Sequence, residues 1–579
     1  MSLLNLTCPV QQPGQDLLVE TQFGELKRSI EDIPYGNIKV AQNMILDKLS
    51  KLNRISLASK DRYQILTLFQ GPYHIIFDYF LDSLKRPNNK TSNEIPDDLK
   101  QLTQEMSYGY KILIREYSSN RSITTANQLV AEIFNLALSY LERLLIEFYL
   151  RYEHPPNYLW REVYQIYHYA EARGFHSKAI TLKPVFYCAA TIEDTFKRIA
   201  LTSLTSPNQF QRGRLAHILD YLDKWCHKAQ ILGSDQVMSA IEESRKQAFL
   251  MDLSSDQKPS HAPTNLDEAN LSALRLLDTS YLVYLLDNQT INLHSPAKLK
   301  ELGMSANLTV RESKALLEEV ASRWAEKLER CSERFPSNKY MDFVWGVPEI
   351  FKTLQEQEGF IKQSLGDNSE ELSPPMLDNR FLRWQSVNIS QGGLQLRHEN
   401  KAMKDLAVGQ IALSRVHGQD AKASWQLFVV RWLEETPKRG TNLGVESIVG
   451  SASTLKLTTI SERNLEPMER PALLLSKPSS EEEQQTIITL TNAYYQGRKM
   501  EMELNGDMHA IVAQKQVEQT EHYARFTFEE AELIGSNYVV KEQDDSEVDD
   551  GNDEAESEED MIEEEIILQD TSRPRRSRD

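Results

Sequence analysis

Apolar residues recur at spacings of three and four from about residue 35 to residue 370, which is the period of amphipathic helices. In the segment 128–150, this spacing places one apolar set on one face: Leu129, Ile133, Leu136, Tyr140 and Leu144. The pattern stops at His154-Pro155-Pro156, because proline cannot continue a helix. A further helix follows and has Gly174 as its C-cap. Other helices are predicted near residues 59–86, 100–118, 180–203, 208–230, 267–287, 309–330 and 347–364.

The hydrophobic period changes to two after a polar, proline-bearing linker at 367–379. The short apolar segments VGQIAL, SWQLFVVRWL and GVESI are separated by turn residues, as in an antiparallel sandwich or barrel. A second β block begins near residue 465, and Asn505-Gly506 within it predicts a type I′ hairpin turn. Its segments QGRKMEMEL, MHAIVAQKQV and RFTFEEA correspond loosely, in order, to those of the first block, which indicates a repeated β unit.

Together these patterns predict an α+β protein. A large all-α N-terminal region is followed by an antiparallel β-barrel, a second small β unit and a disordered acidic tail. The predicted boundaries are an N-terminal extension at 1–34, a helical domain at 35–253, a linker at 254–265, a second helical segment at 266–366, a linker at 367–379, the barrel at 380–460, the second β unit at 461–537 and the tail at 538–579.

The charge of the chain is concentrated at its C-terminal end. Of the formal net charge of −20, residues 541–579 contribute −12, from 17 acidic and five basic residues. The remainder is only mildly acidic, which argues against nucleic-acid binding, because that binding depends on basic groups. The tail is too polar to fold alone. It serves either as a solubilising segment or, through Met561, Ile562 and the apolar run 566–568, as a segment that folds onto a partner.

Several functional classes are disfavoured. The sequence contains no run of 18 or more apolar residues, so no membrane-spanning helix is predicted. The N-terminus lacks the features of a signal peptide, and we therefore expect a cytoplasmic protein. The four cysteines lie far apart, with no metal-binding spacing. The motifs GxSxG, GxxxxGK[ST] and GxGxxG are absent, so we expect no catalytic residues, no metal and no cofactor, and do not expect an enzyme. An active site without a recognisable motif in the helical region remains the alternative.

One short polar segment, NISQGG (388–393), separates the strand-like runs FLRWQSV and LQLRH. Asn388-x-Ser390-x-x-Gly393 resembles the (D/N)xSxxG signature of PilZ domains, and the three apolar segments behind it are similar to the strands of a PilZ barrel. The resemblance covers about residues 378–455. It implies a PilZ-like fold for 380–460 and cyclic di-GMP as ligand.

PilZ domains bind this ligand through the turn and through an RxxxR motif upstream of the first strand. The resemblance therefore implies ligand contacts from Asn388, Ser390 and Gly393. Arginine suits the phosphates and guanines, because its fork donates bidentately to both. The chain offers Arg380-Phe-Leu-Arg383, an RxxR only four residues before Asn388, which leaves no room for the usual first strand. Other basic candidates are the strand residues Arg397, Arg415 and Arg431.

We therefore expect a bacterial signalling protein that senses cyclic di-GMP and contacts a protein partner through its helical region or its acidic tail. In this interpretation Arg380 and Arg383 become ordered around the ligand and re-orient the barrel against the helices. The alternative is a scaffold whose degenerate PilZ-like domain no longer binds a nucleotide. The shortened arginine spacing favours that alternative.

Overall fold

The computed structural model describes residues 4–12, 20–86, 97–119, 128–180, 190–242, 247–263, 268–304, 307–325, 332–365, 381–399, 406–418, 424–436, 440–459, 468–476, 485–504, 506–534 and 537–540. Its helices are α1 (Phe23–Glu31), α2 (Ile38–Asn53), α3 (Ser59–Leu84), α4 (Asp97–Ser119), α5 (Gln128–Leu150), α6 (Asn157–Ala172), α7 (Ile192–Leu204), α8 (Arg212–Trp225), α9 (Ser234–Glu242), α10 (Ser280–Ile291), α11 (Pro296–Glu301), α12 (Val310–Ala325) and α13 (Val347–Leu365). Within these residues, no helix is both long and apolar enough to cross a membrane.

Helix α5 is the centre of the helical region, because almost all of its side chains are buried and it packs against α4, α6 and α7. A helix buried on nearly every side carries charged groups into the core, and these need partners there. Glu142 of α5 pairs with Arg198 of α7, and Lys111 of α4 pairs with Glu162 of α6 at 2.9 Å.

The predicted break after α5 and the predicted cap of α6 are both confirmed. Helix α5 ends at Leu150, and α6 begins only after the two prolines. Gly174 follows α6 with φ 69°. Glycine adopts this left-handed conformation without a steric cost. The amide of Phe175 then donates to the carbonyl of Ala170 at 3.0 Å, which closes the end of the helix.

A small sheet interrupts the helical region, where the sequence pattern predicts helices. Its strands are β1 (Gln230–Leu232), β2 (Ala248–Asp252), β3 (Ser260–His261) and β4 (Leu274–Asp278), in the order β1-β4-β2-β3. The helix predicted at 267–287 is therefore wrong at β4 and right only at α10. Four of the five residues of β4 are buried. A strand that is buried on both faces does not alternate between apolar and polar residues, so its sequence cannot be told from that of a buried helix.

The first barrel is built from β5 (Phe335–Pro336), β6 (Tyr340–Trp345), β7 (Leu382–Ser390), β8 (Gly393–His398), β9 (Ile411–Val416), β10 (Gln426–Thr436) and β11 (Gly440–Ser447). Its antiparallel order is β6-β7-β8-β11-β10-β9, and pairing of β9 with β6 closes it. Strands β5 and β6 both pair with β7, β5 near the end of β7 that leads into the turn and β6 near its beginning. The first strand thus lies within 266–366, in the segment predicted to be helical, because YMDFVW is too short to show a period and runs directly into α13.

The second barrel contains β12 (Ala452–Thr459), β13 (Met468–Leu475), β14 (Thr486–Thr489), β15 (Lys499–Leu504), β16 (Asp507–Gln519), β17 (Ala524–Ile534) and β18 (Asn537–Val540). Its closed order is β12-β13-β14-β17-β16-β15, with β18 beside β17. The predicted hairpin is confirmed, since Leu504 pairs with Asp507 and Gly506 has φ 97°. Asn505 lies outside the described residues.

The two barrels have the same strand order, as the predicted repeat requires. In each barrel the first three strands are followed in space by the sixth, fifth and fourth. The three segments matched between the blocks are the fourth, fifth and sixth strands: β9 with β15, β10 with β16 and β11 with β17. The predicted α+β fold class is therefore confirmed, and the predicted second small β unit is itself a closed antiparallel barrel.

Apolar contacts join the barrels to each other and to the helices. Val347 and Ile350 of α13 pack into one cluster with Ile411 of the first barrel and Leu473 of the second. Tyr152, from the turn after α5, is buried in the core of the first barrel.

Candidate functional site

The segment NISQGG is the turn that joins β7 to β8. Ser390 pairs with Gly393 across the hairpin, and its hydroxyl donates to the Gly393 carbonyl at 3.2 Å. Gly393 lies against β11, where a Cβ atom would stand 2.0 Å from the carbonyl oxygen of Val445. The glycine is therefore required by the close approach of two strands, and this requirement holds with or without a ligand.

A β-bulge directs the polar side chains of this turn outward. Ser386 pairs with Leu396 and Asn388 with Gln395, so Val387 is an extra residue on β7. A bulge reverses the alternation of side chains along a strand. Asn388 consequently shares the outer face with Gln395, and its amide donates to the Gln395 side-chain oxygen at 2.6 Å.

An indole ring lies on the same outer face. Gln395 of β8 pairs with Gly444 of β11, and Gly444 pairs with Trp432 of β10. A Cβ atom on Gly444 would stand 1.8 Å from Nε1 of Trp432, so the missing side chain leaves the space that the indole occupies. Directly opposite residues in antiparallel strands point to the same face. Asn388, Gln395 and Trp432 therefore form one row across the outside of the barrel.

Neither arginine of the predicted RxxR motif is found beside the turn in the part of the chain that the structure describes. Arg380 is outside the described residues. Arg383 is exposed on β7 and lies opposite Asp342. Its separation from Asn388 along the strand is roughly 17 Å, because each strand residue advances the chain by about 3.4 Å. The structure therefore does not bring Arg383 next to the turn.

The three other basic candidates have partners within the barrels. Arg397 donates through Nε to Asn442 at 3.0 Å. Arg415 is buried and pairs with Asp342 at 3.3 Å. Arg431 pairs with Glu446 and with Glu518 of the second barrel.

A second arginine motif, which the sequence pattern alone does not reveal, ends at the turn with Arg334. Upstream of the true first strand the chain reads Arg330-Cys-Ser-Glu-Arg334, an RxxxR with the spacing typical of PilZ domains. Phe335 pairs with Ile389 and Pro336 with Asn388, so extending this register by one residue sets Arg334 opposite Ser390. Arg334 is exposed, and Arg330 lies outside the described residues. A search upstream of YMDFVW would find the motif, but the sequence pattern places that run in a helix.

Comparison with known protein families also identifies the barrel that carries the β7–β8 turn as PilZ-like. Residues 354–453 match a family described as "Cyclic-di-GMP receptor FimW, middle PilZ domain". This part of the chain therefore matches the PilZ-domain family. Two further matches flank the PilZ domain: "Cyclic-di-GMP receptor FimW, N-terminal domain" at residues 24–236 and "FimW C-terminal beta-barrel domain" at residues 457–531. The match to the middle PilZ domain begins inside α13, so β5 and β6 complete the PilZ barrel from outside the matched residues.

The chain is also similar over most of its length to one characterised protein. It is 20% identical to the cyclic-di-GMP receptor FimW of Pseudomonas aeruginosa, and the alignment covers 88% of this chain and 91% of FimW. No solved structure matches the chain.

Proposed function

We propose that this chain is a cytoplasmic bacterial receptor for cyclic di-GMP, without catalytic activity, and that the ligand binds on the outer face of the PilZ barrel at the β7–β8 turn. The observation that carries the proposal is the convergence of Arg334, Asn388 and Ser390 on that turn, with Trp432 in the same row. The similarity to the FimW receptor supports the choice of ligand.

Each part of the surface suits one part of the ligand. The guanidinium group of Arg334 donates to phosphate oxygens and to the acceptor edge of guanine. Asn388 and Ser390 supply short polar contacts, and Gly393 holds the turn that presents them against β11. Trp432 offers an aromatic face on which a guanine can stack. In this proposal Arg330 and Arg334 take the place of Arg380 and Arg383 as the arginine pair.

The signal passes to the helical region through strand β10 in this proposal. Trp432 at the ligand surface precedes Glu435 by three residues, and Glu435 is hydrogen-bonded to the turn after α5. A protein partner bound by the helical region or by the tail 541–579 then receives the change.

Calorimetric titration of the full chain with cyclic di-GMP tests the proposal. We expect saturable binding that Ser390→Ala weakens by about tenfold, the scale of a hydrogen bond to a charged group. Far-UV circular dichroism checks that the variant is folded. Gln514→Ala, on the outside of the second barrel, is the control and should bind as the wild type does. If the wild type gives no heat and no thermal shift with saturating ligand, the scaffold alternative replaces the receptor.

A further inference from the structure

Two arginines of the C-terminal barrel converge on one short turn. Arg470 lies on β13, and Arg498 immediately precedes β15. Nη1 of Arg470 donates to the side-chain oxygen of Asn492, and Nη1 of Arg498 donates to the carbonyl of Ala493 at 2.8 Å. Two cationic groups, one from β13 and one from the residue before β15, are thus held at the turn formed by residues 491–493.

Neither guanidinium has an acidic partner among the described residues, whereas Arg415 and Arg431 of the first barrel each form ion pairs. Burial and the positive charge of Arg498 lower the pKa of Arg470 below its usual value. Acidic residues outnumber basic ones in this chain, which has a net charge of −20, so two neighbouring arginines without a carboxylate partner are unusual here.

Several donors of this pair are unused. Nε of Arg470 and Nε of Arg498 are buried and have no hydrogen-bond partner within the described part of the chain. Both side-chain hydrogen bonds of Arg498 there are donated by Nη1, although an arginine side chain carries five N–H donors. A buried donor without an acceptor is unfavourable, so a bound oxygen-rich anion would stabilise this arrangement.

We propose that Arg470 and Arg498 form an anion-binding site on the C-terminal barrel that takes a phosphate group. Two planar guanidinium forks match the tetrahedral oxygens of phosphate, and a doubly charged anion relieves the repulsion between them. The ring of Tyr495 lies 5.0 Å from the Arg498 guanidinium and is 51% exposed. This exposed ring beside the site allows the phosphate to be part of an aromatic phosphate ester as well as free phosphate.

The test is calorimetric titration of the full chain with inorganic phosphate at constant ionic strength. We expect saturable binding, weakened by about tenfold or more in Arg470→Gln and Arg498→Gln, because each loses charged hydrogen bonds. Lys515→Gln removes an exposed cation from the same barrel and should leave the affinity unchanged.

Two further measurements complete the test. Arg498→Lys retains one donor for the Ala493 carbonyl but loses the fork, so a folded variant with reduced affinity supports the site even where a glutamine variant unfolds. Titration with phenyl phosphate distinguishes the sources of phosphate: equal affinities indicate free phosphate, and tighter binding of phenyl phosphate indicates an aromatic phosphate ester that uses Tyr495. Absence of saturable phosphate binding by the wild type, or wild-type affinity in folded Arg498→Lys and Arg470→Gln, would show that the arginines only brace the turn.

Discussion

The amide of Glu435 donates to the carbonyl of Tyr152 at 2.7 Å, and this hydrogen bond joins the PilZ barrel to the helical region. The carbonyl of Glu435 in turn accepts from the amide of His154 at 3.0 Å. Tyr152 has φ 57°, and its ring is buried in the barrel core. This left-handed conformation is rare for a bulky residue. The packing of the barrel around the ring offsets its cost.

Tyr152→Ala should separate the two regions locally. Loss of a buried aromatic ring costs about 3 kcal/mol or more, and the strained backbone at Tyr152 then lacks the contact that holds it. We expect faster hydrogen exchange of the amides in β10, measured by mass spectrometry on peptides that span 426–436. Tyr152→Phe, the control, loses only the hydroxyl hydrogen bond to the Phe210 carbonyl and should keep near-normal protection. Equal exchange in wild type and Tyr152→Ala would contradict the proposed coupling.

Gly393→Val should destabilise the PilZ barrel whether or not a nucleotide is bound. The new Cβ would meet the backbone of Val445, which cannot move without opening the β8–β11 pairing. We expect a loss of about 2 kcal/mol or more in thermal or urea unfolding. Gly392→Ala is a matched control in the same turn, because nothing lies within 4 Å of the added atom. Similar melting temperatures for the two variants would argue against this strand contact.

Glu147 should make stability depend on pH. Burial raises its pKa from 4.5 to about 7, and one of its carboxylate oxygens has no hydrogen-bond partner among the described residues. Between these two values the folded chain retains a proton that the unfolded chain has lost, so stability falls as the pH rises through this window. Glu147→Gln removes this dependence. Relative to wild type, the variant should gain about 2 kcal/mol in unfolding free energy between about pH 5 and about pH 8. If the difference in unfolding free energy between the variant and the wild type does not change with pH, Glu147 does not ionise in this pH range.

Deletion of residues 541–579 should leave the melting temperature nearly unchanged. The segment carries −12 of the net charge and few apolar residues, so it contributes little to a folded core. Differential scanning calorimetry of the full chain and of the deletion variant measures the difference. A fall of several degrees in the deletion variant would instead show that the apolar run near Ile562 docks on the body of the protein.

The sequence predicts the elements of this fold wherever its hydrophobic period is long or its turn chemistry is specific. The helix α5, the break at the two prolines after it, the cap at Gly174 and the hairpin at Gly506 all follow from such signals. The short strands β4 and β6 do not, because runs this short show no period and tertiary pairing alone decides their state.

The candidate site is only partly predictable for the same reason. The outward direction of Asn388 depends on the bulge at Val387, which no local signal marks. The position of Arg334 depends on the pairing of β5 with β7, two segments that are distant from each other in the chain. The sequence pattern places β6 in a helix, so the arginines expected before the first strand are sought just before the turn, at Arg383. The arginine that lies beside the turn in space is Arg334.

The most direct test of the account compares two single variants of the full chain, Arg334→Ala and Arg383→Ala, by calorimetric titration with cyclic di-GMP. Each removes one exposed arginine from the outside of the PilZ barrel, but only Arg334 lies at the β7–β8 turn. We expect Arg334→Ala to weaken binding by more than about 1.5 kcal/mol, the scale of a charged hydrogen-bonding group, and Arg383→Ala to bind nearly as the wild type does. The reverse order, with binding lost in Arg383→Ala and retained in Arg334→Ala, would contradict the placement of the ligand at this turn.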